Sequence, residues 1–262
     1  KMSNPVGKEH GKELCDALIV FNDNVIIISV KDITYKETDD IKTGWDRWNK
    51  SAIDKSIKQL KGAKRYLDTQ SEIVSKEHNV TFKLPNLNNR KYHLLTISLG
   101  AKREIPVSIP MEGDLFVHFI DEYSLDILFR ELDTISDFIE YLMKKEALYI
   151  FGKKIIIGAE EDILGFYLWN NRSFPGNYDS MVFNSNIWQN IQERPEYIQK
   201  KELDKISYIW DKIIEEFISI RDPELSKILG AFDFSNENVE IALRILAKEC
   251  RFSRRILTQA FI

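Results

Sequence analysis

The chain lacks most of what would mark it as secreted, membrane-bound or built on a zinc knuckle. It carries only two cysteines in 262 residues, Cys15 inside an apolar run and Cys250 in a helical pattern. They are too few and too far apart for a disulfide framework, and both read as buried, reduced thiols. No apolar run approaches the roughly 20 residues of a membrane span, and the opening Lys1-Met2-Ser3-Asn4-Pro5 has no apolar stretch to act as a signal peptide. The expectation is a soluble, cytoplasmic protein with no membrane partner. An excess of one charge is also missing. With 37 Lys+Arg against 41 Asp+Glu and a net charge of -4, bulk charge does not announce a nucleic-acid binder, and any such contact must be local. There is no repeat at solenoid or propeller period and no low-complexity tract. No G-x-x-x-x-G-K-[ST], no G-x-G-x-x-G and no G-x-S-x-G occurs, which argues against phosphate-cradling nucleotide enzymes and serine hydrolases. The Lys ahead of Met2 reads as a cloning remnant, and the end at Ala260-Phe261-Ile262, mid-pattern, as a chain that continues.

What is there is enough apolar material for one large domain or a core with an appended subdomain, at 44% hydrophobic and 11% aromatic residues. Leu14 to Phe21 is a nearly continuous apolar run of strand length containing one acid, Asp16. Asn22-Asp23-Asn24 is turn chemistry, and Val25 to Lys31 is a second β-branched run, so the two predict a hairpin of buried strands. Ile53, Ile57, Leu60, Ala63 and Leu67 recur at helical spacing and predict a long amphipathic helix over 45–67. Strands are expected at 80–84, 92–99, 115–120 and 149–158. Two helices are expected within 125–148, the second opened by Thr134 with Asp137 three residues on. Helices then follow near 202–220 and 236–257. The pattern predicts an α/β (α+β) core over 1–158 and a mostly helical C-terminal region over 159–262.

Strand alternation places Leu14, Asp16, Leu18 and Val20 on one face of the first strand and Ile27, Ser29 and Lys31 on one face of the second. A carboxylate in a buried strand costs several kcal/mol unless it is paired or holds a metal. Asp16 therefore needs a partner; Lys31 is the candidate, as a structural ion pair or as part of a reactive site, unless it simply ends its strand in water.

Glu13 and Asp16, a hairpin, Ser29-Val30-Lys31 and then a helix carrying Gln59 together resemble the PD-(D/E)XK nuclease superfamily, the restriction-endonuclease-like fold. The resemblance covers the first third of the chain, to about Leu99. It implies a mixed sheet flanked by helices, Mg²⁺ (or Mn²⁺) as cofactor, and hydrolysis of phosphodiester bonds in DNA rather than RNA. In those terms Asp16 with Glu13 or Glu9 holds the metal, Lys31 orients or activates a water and offsets negative charge, and Gln59 positions the site or a phosphate. The sequence departs from the pattern at one place: Ser29 stands where the family has an acid. Glu13 or Glu9 then supplies the missing carboxylate from the helix side, whereas Asp32 points to the opposite face of a regular strand. Two outcomes stay open, a nuclease with a migrated ligand or an inactive fold kept to bind nucleic acid or a protein. A homodimer stays open as well.

The remaining candidates carry less. His10, His78, His93 and His118 are scattered with no metal spacing, and His93 and His118 read as satisfied sheet residues. Trp45 and Trp48 read as core before base-stacking residues. Arg244, Lys248, Arg251 and Arg255 recur at i, i+4, i+7 and i+11. On one helix they would form a stripe able to track a phosphate backbone, or a solvated face paired with Glu240 and Glu249.

Overall fold

The computed structural model describes residues 2–3, 13–74, 81–100, 115–149, 154–156, 159–176, 180–219 and 236–262. The two apolar runs form the expected hairpin, β2 (Ala17–Phe21) and β3 (Asn24–Asp32), in register Leu18↔Ile27 and Ala17↔Ile28. Asn22, at φ 50°, makes the turn in the left-handed region that asparagine tolerates. A two-residue strand, β1 (Met2–Ser3), pairs with the outer side of β2.

From β3 the chain crosses over through α1 (Ile41–Asn49), one wide π-type segment (Lys50–Asp54) and α2 (Lys55–Leu67). It then makes a small separate hairpin of β4 (Glu72–Val74) and β5 (Thr81–Lys83). β6 (Lys91–Leu99) returns parallel to β3, and β7 (Val117–Asp121) lies parallel to β6. The five-stranded sheet has the order β1-β2-β3-β6-β7, antiparallel on one side of β3 and parallel on the other. The class is therefore mixed α/β.

Alternation splits the apolar side chains between two layers. Leu18, Val25, Ile27, Leu94 and Val117 pack against Ile57, Leu60 and Ala63 of α2. Ile26, Ile28, Leu95 and Ile120 face the helices α3 (Glu122–Glu131), α4 (Ile135–Leu148) and α5 (Glu160–Trp169). Trp48 is core, as read from the sequence, with its indole N–H donating to the Ile33 carbonyl at 2.6 Å. The Thr134 cap is present too, with the Asp137 N–H donating to Thr134 Oγ1 at 3.1 Å.

The remaining described elements are a short parallel pair, β8 (Lys154–Ile156) with β9 (Ser180–Val182), the helices α6 (Ile187–Gln192), α7 (Pro195–Asp204), α8 (Tyr208–Ser219), α9 (Asn236–Ala247) and α10 (Arg251–Phe261), and a 3₁₀ turn (Lys205–Ser207) between α7 and α8. Two expectations need correction. Asp16 lies just ahead of β2 rather than inside a strand, although its N–H still donates to the Ile28 carbonyl at 3.1 Å. The helix expected over 236–257 is two helices, broken at 248–250.

Candidate functional site

Ser29 and Lys31 project from the end of β3 toward α2, on the face shared with Val25 and Ile27. The crossover brings Gln59 over them. Its Oε1 accepts from Lys31 Nζ at 2.9 Å and from Ser29 Oγ at 2.9 Å. Asp16 closes the group from the other side: its Oδ2 accepts the Val30 N–H at 2.7 Å and lies 3.7 Å from Lys31 Nζ. Backbone pairing of the hairpin thus fixes a carboxylate beside a lysine. Their side chains are 32% and 26% exposed, so the pair opens to solvent rather than ending in the core. A pair this exposed contributes little to stability.

Ser29 itself is fully buried, and its hydroxyl also lies 3.1 Å from that of Ser56, another fully buried side chain. Sequence reasoning missed Ser56. Its three-residue spacing from Gln59 on one helix face was the available signal. Glu13 is exposed and lies close enough to act on Cys15, whose thiol is pushed up to about 12 by burial first and then by the charges of Asp16 and Glu13. Glu9 lies outside the described residues, and Asp32 is exposed at the end of β3. On the same side of the sheet, Lys58, Lys61, Lys64 and Arg65 of α2 line a cleft of about 470 Å³ floored by Leu115 and Val117. Lys64 is paired with Asp68 at 2.8 Å.

The C-terminal stripe does not form as one surface. The break between α9 and α10 changes its direction, and Arg251 turns inward. Its backbone N–H donates to Asp137 Oδ2 at 2.8 Å, while its guanidinium pairs with Asp133 at 2.9 Å and Asp211 at 2.5 Å. Arg255 pairs with Asp204 at 3.0 Å and Arg244 with Glu240 at 3.0 Å. Lys248 sits in the turn, its carbonyl accepting from Ser136 Oγ at 2.7 Å. Two of the four residues expected to meet phosphate, Arg251 and Arg255, thus have their charge met inside the protein.

Comparison of the chain with family models, with curated proteins and with solved structures returns no match.

The described residues hold a second polar cluster, on the opposite face of the sheet. His93 on β6 and His118 on β7 are diagonal neighbours, since His118 pairs with Leu95, and both are buried. Glu146, in the last turn of α4, places Oε1 2.7 Å from His93 Nδ1 and 2.9 Å from His118 Nε2. Burial opposes the charge of Glu146, but the bonds from His118 and His93 outweigh it and hold the carboxyl at about 2. Complete burial brings His118 down to about 4. No local spacing in the sequence joins these residues, so only the fold could reveal them.

Proposed function

We propose that the chain is a metal-dependent nuclease of PD-(D/E)XK type, hydrolysing phosphodiester bonds in DNA, with a restriction-endonuclease-like core. One observation carries the reading: Asp16 from the segment ahead of β2, Lys31 from β3 and Gln59 from α2 meet in one open group at the end of β3. The order of elements supports it, with a hairpin, a crossover helix bearing Gln59 and two parallel strands.

The residues present meet the least that Mg²⁺ or Mn²⁺ requires. Magnesium is commonly held by one or two carboxylates, with waters and substrate phosphate oxygens completing its shell. Asp16 supplies one carboxylate, with Glu13 or Glu9 as the second. Such an ion polarises a phosphoryl oxygen and lowers the pKa of a bound water. The chain's own residues do the rest. Lys31, held by Gln59, places a positive charge where the phosphoryl group gains negative charge. Gln59 accepts through Oε1 from both Lys31 and Ser29, which leaves its amide N–H groups as the donors that would position a phosphate.

A second reading has its own observation. Ser29 is buried in a neutral network with Ser56 and Gln59, an arrangement that suits a fold kept to bind nucleic acid or a protein partner without cleaving. Incubation with single- and double-stranded DNA and RNA, with and without Mg²⁺ or Mn²⁺, separates the two. The first reading expects metal-dependent cleavage that falls by about 10²-fold or more in Lys31→Ala and is lost in Asp16→Asn. Binding without cleavage under every condition would leave the second.

A further inference from the structure

The cluster beneath α4 presents a problem of proton placement. Asn24 is oriented by its Nδ2, which donates to the Phe21 carbonyl at 3.5 Å, so that its Oδ1 faces His93 Nε2 at 3.0 Å. An amide oxygen only accepts, so Nε2 carries the hydrogen. In the neutral ring Nδ1 then holds a lone pair, and that lone pair points at Glu146 Oε1 from 2.7 Å. Two acceptors do not rest at that distance without a proton or a cation between them. A second imidazole, His118, converges on the same oxygen, and the three ligand atoms lie within 4.8 Å of one another.

We infer that His93, His118 and Glu146 form a binding site for a first-row transition ion of the Zn²⁺ class, separate from the Asp16 group and on the other face of the sheet. Two imidazoles and a carboxylate suit Zn²⁺ and its neighbours, whereas Mg²⁺ and Ca²⁺ favour all-oxygen shells. Asn24 plays the supporting part usual at such sites: it fixes the tautomer of His93 so that Nδ1 faces the ion. Ligand lengths near 2.0–2.1 Å require the carboxylate to withdraw and the two imidazole nitrogens, which lie within 4.8 Å of each other, to close on the ion. Glu146 is 25% exposed, so the carboxylate end of the cluster reaches solvent. The site would tie the end of α4 to β6 and β7.

The test uses the full chain without a histidine tag, stripped with a chelator and titrated with ZnCl₂ by calorimetry, with Co²⁺ as a visible-absorption probe. One equivalent of Zn²⁺ should bind and raise the melting temperature, and Mg²⁺ should not compete. Glu146→Gln and His118→Gln should abolish stoichiometric binding, Asn24→Ala should weaken it about 10- to 100-fold, and Asp16→Asn should leave it unchanged. X-ray absorption of the wild-type Zn²⁺ complex reads the imidazoles directly, so a variant that fails to fold does not leave the question open. Absence of stoichiometric binding, a coordination shell without imidazole, or binding that survives Glu146→Gln and His118→Gln would overturn the inference. None of these outcomes bears on cleavage at Asp16.

Discussion

Ser29 is the residue on which the proposed nuclease reading turns. Its hydroxyl occupies a fully buried position and satisfies Gln59 and Ser56 without adding charge. The Asp16 group therefore has one carboxylate paired with Lys31, and any hard cation there has a weak hold, because affinity for such ions rises with ligand charge. Ser29→Asp restores an acid beside Lys31. If the chain cleaves as proposed, the Mg²⁺ concentration for half-maximal cleavage should then fall about tenfold, which a metal titration of cleavage rate checks; an unchanged requirement would place the metal away from β3. Asp16 and Lys31 were legible in the sequence because a charge inside a β-branched run is costly and has to be answered by a neighbour. Their side of the sheet followed from period-two alternation. Ser56 offered only its three-residue spacing from Gln59 on one helix face, and the pairing of Glu146 with two histidines was not legible, since it depends on how α4 lies across the strands.

Among the helices, α2 combines two roles, packing Ile57, Leu60 and Ala63 against the sheet while presenting Lys58, Lys61, Lys64 and Arg65 along a cleft on the same side of the sheet as the candidate site. If the chain binds nucleic acid as proposed, the cations that meet phosphate belong to this helix. Lys58→Ala with Arg65→Ala should weaken binding to unrelated sequences alike and reduce the slope of log K against log salt by about 1 for each cation removed. Arg244→Ala should leave the slope in place. Filter binding across a salt series decides between them. The reading of one helix over 236–257 failed for a physical reason. Lys248-Glu249-Cys250 contains neither glycine nor proline, so local preference does not stop a helix there. The break is held instead by tertiary bonds, Ser136 to the Lys248 carbonyl and the Arg251 N–H to Asp137. The hairpin and the Thr134 cap, by contrast, were legible because their signals lie within a few residues.

At the scale of the whole molecule, α10 acts as a clamp of cations over acids contributed by distant segments. Arg251 meets Asp133 and Asp211, Arg254 also meets Asp211, and Arg255 meets Asp204. Removing one member of such a group leaves carboxylates partly buried without a counter-charge. Because Asp133 and Asp211 keep 22% and 27% of their exposure, Arg251→Ala should cost about 2–3 kcal/mol, somewhat below the range for a fully buried pair. Arg244→Ala, at a half-exposed helix pair, should cost under about 0.5 kcal/mol. Urea unfolding monitored by tryptophan fluorescence measures both. The clamp also bears on how the chain is made. Asp133 leaves the ribosome more than a hundred residues before the Arg251 guanidinium arrives to pair with it. During that interval the nascent chain carries Asp133 without the cation that meets it, and Asp204 and Asp211 follow in the same position, so final consolidation of this half of the protein is deferred until synthesis has passed Arg255.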